Sequence, residues 1–178
     1  AGSGKTRVIT QRIARLVERG ARPESILAVS FTNKAAAEMA ERMVPLVGTR
    51  IAERLWLSTF HSFGVRFLGQ ENRALGYDGR FVIFDQGDSM GVVKDVLRHM
   101  RESGAARRLD PSAILARISK WKNEGLLPEA VPESDFEYDD IARDVYPDYL
   151  ARLHAMRALD FDDLVLAPVR LLRENQEV

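Results

Sequence analysis

The sequence predicts an α/β fold, in which helices cross over between the strands of a parallel sheet and a mainly helical region follows. Two observations support this prediction. Over the first 70 residues, segments with apolar residues at helical spacing alternate with short, nearly unbroken apolar runs. From about residue 70 onward the apolar residues recur mainly at helical spacing, with no internal repeat or low-complexity stretch.

The first two predicted elements are an amphipathic helix and a strand. Apolar residues recur at helical spacing from Val8 to Val17, and Gly20 and Pro23 close this segment. The run from Ile26 to Phe31 is almost wholly apolar, which is typical of a strand buried on both faces of a parallel sheet.

A second helix and a second strand come next. Thr32 and Asn33 are favourable N-cap residues, and Gly48 is a typical helix stop. The run Leu55–Ser58 is the second predicted strand, and Thr59 stands where it can cap a further helix. That helix carries an aromatic stripe at Phe60, Phe63 and Phe67.

The remaining predicted elements are helices with polar residues at their starts. Asp85 and Asp110 are each placed to cap one helix. Pro147 lies inside a third helical stretch, where a proline is expected to kink or break the helix. The last stretch, residues 159–178, is predicted to be a helix that Asp160 caps.

The composition excludes several classes of protein. The 178 residues include no cysteine, which excludes a disulfide framework, a thiolate metal site and a cysteine nucleophile. The three histidines lack the spacing of metal ligands. No apolar run approaches the roughly 20 residues that span a bilayer, and the first residues are no signal peptide. We therefore expect a soluble, cytoplasmic protein without a membrane partner.

The formal net charge of zero hides a segregation of charge along the chain. Residues 1–70 carry a net charge of +6, residues 71–130 carry +1 and residues 131–178 carry −7. A basic excess attracts a polyanion, whereas an acidic one repels it. The first third is therefore the expected location of a polyanionic partner.

The start of the chain carries the strongest local motif. The letters GSGKT at positions 2–6 match the closing part of the phosphate-binding loop GxxxxGK[ST], and a helix follows directly. Glycine N–H groups and the helix N-terminus can hold phosphate oxygens, Lys5 can reach the β and γ phosphates, and Thr6 offers a hydroxyl to Mg²⁺. The motif predicts a bound nucleotide. The alternative is a glycine-rich chain start without a ligand. The first glycine of the motif and its strand would lie before residue 1.

Polar and aromatic residues follow both predicted strands. Ligands of open α/β sheets bind at the C-terminal ends of strands, aromatic side chains stack on unpaired bases, and polar groups hold phosphates without reading sequence. Two such ends side by side predict a groove on the surface. The alternative is that Phe31 belongs to the core and Thr32 serves only as a helix cap. On the following helix, Phe63 and Phe67 are spaced like core residues.

Five segments closely resemble one known family. They are AGSGKT, LAVSFTNKAAAEMAERM, STFHSFGVRFL, WKNEGL and LDFDDLV. In order and spacing they resemble the UvrD/PcrA/Rep-like superfamily 1 DNA helicases over essentially the whole chain. The resemblance implies a motor that uses ATP and Mg²⁺, moves 3′ to 5′ along single-stranded DNA and separates the duplex ahead of it. It also implies part of a RecA-like P-loop NTPase parallel sheet with an inserted, mainly α-helical accessory domain.

The resemblance assigns roles to individual residues. The family's phosphate-loop lysine and magnesium-binding threonine fall on Lys5 and Thr6, and Arg7 stands where the family often has an arginine near the nucleotide. The nucleotide-binding set is Ala1, Gly2, Ser3, Gly4, Lys5, Thr6 and Arg7. The single-stranded DNA contacts fall on Phe31, Thr32, Asn33 and Lys34, and on Thr59, Phe60 and His61.

The resemblance also divides the chain into three parts. Residues 1–83 begin the ATP-binding motor domain, residues 84–157 form the inserted helical domain near the junction of single- and double-stranded DNA, and residues 158–178 return to the motor domain. In the inserted domain three polar residues could contact the DNA backbone, and the alternative is a solvated basic face. These residues are Lys120, Lys122 and Asn123.

Several features of the family are missing or altered. Ser30 and Ser58 replace the threonine and glycine that are more usual before the two DNA motifs. The upstream glutamine element, the Asp-Glu pair that binds magnesium and activates water, and the second motor domain with its arginines are not found. Asp160, Asp162 and Asp163 are not assigned to that acidic pair, because no apolar strand precedes them and Asp160 with Asp163 fits a helix start.

We therefore expect an N-terminal helicase fragment that does not hydrolyse ATP by itself and whose partners are DNA and the remainder of the helicase chain. Two other functions remain open at this point. One is a non-catalytic module that binds single-stranded DNA. The other is a different P-loop enzyme, such as a small kinase, which would need a substrate lid and an acidic residue near the loop.

Overall fold

The computed structural model describes residues 4–77, 79–102 and 109–174. The chain divides into two compact units, one up to Arg66 and the other from Phe67. The helices and strands that begin in the first unit are α1 (Lys5–Glu18), β1 (Leu27–Ser30), α2 (Asn33–Val47), α3 (Thr49–Ala52), β2 (Trp56–Thr59) and α4 (Phe60–Gln70).

A two-stranded parallel sheet organises the first unit. Leu27 of β1 lies opposite Trp56 of β2, and Ser30 lies opposite Thr59. Buried apolar side chains from α1, α2 and the strand entries form the core of this unit. They are Ile13, Ala14, Ile26, Met39, Met43 and Leu55. The predicted alternation of helices and parallel strands is confirmed here.

The prediction that the first strand is buried on both faces is wrong. Leu27 is exposed, and the rest of β1 is only half-buried. The reason is that, within residues 4–77, 79–102 and 109–174, β1 pairs with β2 alone. The apolar run therefore predicted the strand correctly, but it did not predict how much of the strand is buried within this chain.

The helix boundaries of the first unit follow from local capping. The Thr32 hydroxyl accepts a hydrogen bond from the Ala35 amide at 3.2 Å, and the Thr59 hydroxyl accepts one from the Ser62 amide at 3.1 Å. Gly48 ends α2 with φ of +82°, a conformation that favours glycine. All three predicted boundary residues are confirmed.

The second unit is mainly helical, as the sequence predicts. Its elements are β3 (Val82–Ile83), α5 (Gln86–Glu102), α6 (Pro111–Asn123), α7 (Glu137–Ala155), β4 (Ala158–Leu159) and α8 (Asp163–Glu174). Helices α5, α6 and α7 pack around a common core. Its fully buried members include Val93, Val96, Ile114, Ile118, Ala142, Val145, Tyr146 and Tyr149. Among the described helices, none has both the length and the apolar character that a membrane span requires.

Aspartates define the start of two helices in this unit. The Asp88 amide donates to the Asp85 side chain at 2.9 Å, and the Asp85 amide donates to the Asp88 side chain at 3.1 Å. The Ser112 amide donates to the Asp110 side chain at 2.9 Å. Both predicted caps are confirmed.

Two other predictions for this unit need correction. Of the two effects expected at Pro147, a kink or a break, the break does not occur: α7 continues through Pro147, and buried Val145, Tyr146 and Tyr149 hold the helix on both sides of it against the core. The last helix begins only at Asp163. A buried strand, β4, precedes it and pairs in parallel with β3, so the expectation that no strand precedes the three aspartates is wrong. Two residues are too few to form a recognisable apolar run.

Candidate nucleotide and nucleic-acid sites

The N-terminus of α1 has the properties of an anion site. Gly4 has φ of +68° at the N-cap, a conformation that side chains rarely adopt, and it has no side chain with which to cap the helix. Within the described part of the chain, no side chain of the N-cap residue accepts from the first N–H groups of α1, and such groups are suited to an anionic ligand. The first turn has no acidic residue, Lys5 and Arg7 are exposed, and Thr6 is half-buried. Ala1, Gly2 and Ser3 lie outside the described residues.

The parallel register of β1 and β2 brings the two predicted DNA motifs together. Ser30 lies opposite Thr59, so the next residues, Phe31 and Phe60, emerge side by side. Their ring centroids are 5.5 Å apart and their planes are inclined by 53°. Phe31 is 89% exposed and Phe60 is 39% exposed. The alternative that Phe31 belongs to the core is therefore wrong.

Polar residues and two helix starts surround this aromatic pair. Thr32, Asn33 and Lys34 are exposed where α2 begins, and His61 is exposed where α4 begins. The first turns of both helices contain no acidic residue. Because the N-terminal ends of helices carry a partial positive charge, this surface favours an anionic ligand.

Thr59 has a different position from the rest of its motif. It is only 6% exposed, and its hydroxyl donates to the Ser62 hydroxyl at 2.9 Å while it caps α4. Thr59 therefore fixes the start of α4 beneath Phe60, and its hydroxyl is not offered at the surface. The other six residues of the predicted DNA set are exposed at the two strand ends.

The candidate backbone contacts in α6 are only partly where the sequence places them. Lys120 is exposed, but Lys122 is buried, with its Nζ 2.7 Å from both Asp160 Oδ2 and Asp163 Oδ1. Both predictions for Lys122, a contact with the DNA backbone and a place on a solvated basic face, are therefore wrong. The sequence contains an indication that Lys122 is buried. Lys122 follows Ile118 by four residues and therefore lies on the same, buried face of α6.

Asn123 is also engaged within the protein. Its side-chain amide donates to Asp162 at 2.8 Å and to the Ser119 carbonyl at 2.8 Å. The predicted cap at Asp160 is confirmed, although α8 itself begins at Asp163, because the Asp163 amide donates to Asp160 Oδ1 at 2.9 Å. The WKNEGL and LDFDDLV segments therefore interact with each other in the folded chain.

The whole chain is similar in sequence to known proteins. Residues 1–178 match the UvrD/REP helicase N-terminal domain. The chain is 42% identical over 180 residues to the ATP-dependent DNA helicase PcrA of Bacillus subtilis (strain 168) and to that of Staphylococcus aureus (strain Mu50), which covers 100% of this chain and 24% of each relative. It is also 42% identical over 179 residues to PcrA of Staphylococcus epidermidis, which covers 99% of this chain.

The chain thus spans about a quarter of the length of these relatives, each 24% covered. The family match extends over all of residues 1–178, and the identity of 42% extends over the same length. On this evidence, the chain belongs to the UvrD/REP helicase N-terminal domain family.

Proposed function

We propose that this chain is the part of an ATP-dependent DNA helicase that binds ATP with Mg²⁺ and holds single-stranded DNA, in a motor that moves 3′ to 5′. The observation that carries the proposal is the exposed pair of Phe31 and Phe60 at neighbouring strand ends. Family membership and the names of the PcrA relatives support it.

The aromatic pair is suited to unpaired bases. An exposed ring such as that of Phe31 offers a flat apolar surface, and stacking of a base on an aromatic side chain contributes about 1–3 kcal/mol for every kind of base. The exposed cation of Lys34 and the N-terminal ends of α2 and α4 would attract the phosphates that connect those bases. The site would thus bind the strand without reading its sequence.

The start of α1 is suited to the phosphates of ATP. Its first N–H groups and Lys5 would bind phosphate oxygens, and the Thr6 hydroxyl would hold Mg²⁺. Hydrolysis of the bound nucleotide supplies the energy of such a motor. Arg7, exposed in the same turn, would lie near the nucleotide.

We further propose how the chain fits into the longer helicase. The pair of β1 and β2 would belong to a RecA-like parallel sheet, with residues 1–83 and 158–178 in the motor domain. Residues 84–157 would be an inserted helical domain near the junction of single- and double-stranded DNA. The remainder of the helicase chain would supply the hydrolytic carboxylates and the second motor domain.

The test is substitution of Phe31 by alanine. We expect Phe31→Ala to raise the Kd for a fluorescently labelled single-stranded oligonucleotide by about 5- to 150-fold, which corresponds to the loss of one stacked base. Fluorescence anisotropy at fixed low salt measures the Kd.

The matched control is Phe136→Ala, which removes another highly exposed phenylalanine, 71% accessible, from a stretch rich in acidic residues. It should leave the Kd unchanged. Equal affinities of wild-type and Phe31→Ala protein, both folded by circular dichroism, would contradict the proposed stacking.

A further inference from the structure

A buried cluster of ionisable side chains lies in the second unit, and neither the nucleotide nor the DNA proposal uses it. Lys122 of α6 contacts Asp160 and Asp163 at 2.7 Å each, and the Tyr149 hydroxyl of α7 donates to Asp160 Oδ2 at 2.8 Å. The side chain of Lys122 is 4% exposed. These four residues are called the Lys122 cluster below.

The Lys122 cluster holds the start of α8 in place. Each carboxylate directs one oxygen to Lys122 and the other to the backbone of the turn: Asp160 Oδ1 accepts from the Asp163 amide at 2.9 Å, and Asp163 Oδ2 accepts from the Asp160 amide at 3.3 Å. A lysine from α6 and a tyrosine from α7 thus fasten the same turn. The bond from Asn123 to Asp162 is a second link between α6 and this turn.

The charges within the cluster do not balance. One ammonium group faces two carboxylates, so the ionised cluster carries one excess negative charge, shared between buried Asp160 and partly buried Asp163. Other charged or ionisable groups act on the cluster or border it. They are Tyr77 from the segment before β3, Tyr146 from α7, Asp162 from the turn, and Arg170 and Arg173 from α8.

Asp163 is the carboxylate of the cluster that accepts a proton most readily. Burial raises the pKa of Asp163 to about 6, with the charge of Lys122 opposing this shift and that of Asp160 adding to it. Burial acts in the same direction on Asp160, but the charge of Lys122 and the hydrogen bonds to the carboxylate outweigh it and lower the pKa of Asp160.

The sign of the resulting pH dependence follows from linkage. Because the pKa of Asp163 is higher in the folded cluster than in an opened one, protonation of Asp163 favours the closed form. This stabilisation is complete below the ordinary carboxyl pKa of 3.8 and is lost as the pH rises through about 6.

We propose that the Lys122 cluster is a proton-sensitive clamp, which holds the start of α8 against α6 and α7 and loosens when the cluster loses its extra proton. If the cluster has this role, α8 should open by local unfolding more often when the cluster has lost its extra proton. The proposal concerns the second unit alone and does not depend on ATP or DNA binding.

Hydrogen exchange of the α8 amides in the whole chain tests the clamp. After correction for intrinsic exchange rates, the opening constant in wild-type protein should increase about tenfold between pH 5 and pH 7.5, as the two pKa values of Asp163 require. In Asp163→Asn the opening constant should be independent of pH over this range. The control Asp162→Asn removes one charge from the same turn and should keep the tenfold change.

Two outcomes would overturn the proposal: an opening constant of wild-type α8 that does not change with pH, or the same change in wild-type and Asp163→Asn protein. If Asp163→Asn does not fold, the wild-type protein alone decides the question. Carboxyl ¹³C NMR should then give Asp163 a titration midpoint near 6, and a midpoint at the ordinary carboxyl value would refute the clamp.

Discussion

At the residue scale, Lys122 is a buried cation whose two charge partners both lie in one turn. Its ammonium group is nearly inaccessible, and the carboxylates of Asp160 and Asp163 at the start of α8 depend on it for charge compensation. Removal of one partner from such a buried pair leaves the other charge without compensation, which costs more than the pair itself contributes.

We therefore expect Lys122→Met to lower the free energy of unfolding by about 3–5 kcal/mol at pH 7. Urea denaturation followed by circular dichroism measures this change. The control Lys120→Met replaces a side chain that is 70% exposed, so its effect should stay within about 0.5 kcal/mol. If both substitutions lowered the free energy of unfolding by similar amounts, Lys122 would not be the charge partner of Asp160 and Asp163.

Phe31 illustrates how far the candidate site could be predicted from the sequence. Residue types after the two strands indicated an aromatic, polar surface, and the structure confirms that the two strand ends are adjacent. Residue type could not decide whether Phe31 is core or exposed, because that depends on packing partners distant in sequence. For Thr59 the sequence predicts both a helix cap and a DNA contact, and the structure confirms the cap, with the hydroxyl buried.

At the scale of single elements, the boundaries that depend on capping were predictable because capping involves only neighbouring residues. Thr32 is the clearest case, with its hydroxyl on the Ala35 amide. By contrast, the unbroken α7 at Pro147 and the two-residue strand β4 depend on tertiary packing and pairing. Local rules therefore left open a break at Pro147 that does not occur, and they missed β4.

Loss of the cap at α2 should be measurable. We expect Thr32→Ala to lower the free energy of unfolding by about 0.5–2 kcal/mol, because one amide at the helix start loses its acceptor. Thr32→Ser keeps the hydroxyl and should retain most of the stability. Thermal or urea unfolding compares the three proteins, and a full loss in Thr32→Ser would argue that the threonine methyl group, not the cap, is responsible.

At the scale of the whole molecule, the basic excess and the two candidate sites fall in the same third of the sequence. Residues 1–70 carry a net charge of +6, while residues 131–178 carry −7. Affinity for DNA should therefore be concentrated in the first unit and decrease steeply with salt. The family could be predicted from the order and spacing of the motifs along the sequence. The contact between the WKNEGL and LDFDDLV segments could not, because sequence motifs do not show which segments lie close together in the fold.

We expect this chain to bind ATP with Mg²⁺ and not to turn it over. The resemblance assigns no residue of this sequence to the water-activating carboxylate, and the arginines of the second motor domain are likewise unassigned. Titration with a fluorescent ATP analogue measures the binding. Lys5→Ala should abolish it, whereas the control Lys94→Ala, which removes another exposed lysine, should preserve it. Steady-state ATP hydrolysis that single-stranded DNA stimulates would contradict this expectation.

The pairing of β3 with β4 has a consequence for the order of folding. Val82 pairs with Ala158, so this two-residue ladder closes a loop of roughly 75 residues, and loop-closure entropy opposes it until the intervening helices are compact. Contacts of such long sequence separation slow folding, whereas helix pairs close in sequence form early. The nascent second unit should therefore assemble α5, α6 and α7 first, with β3 and β4 joining last.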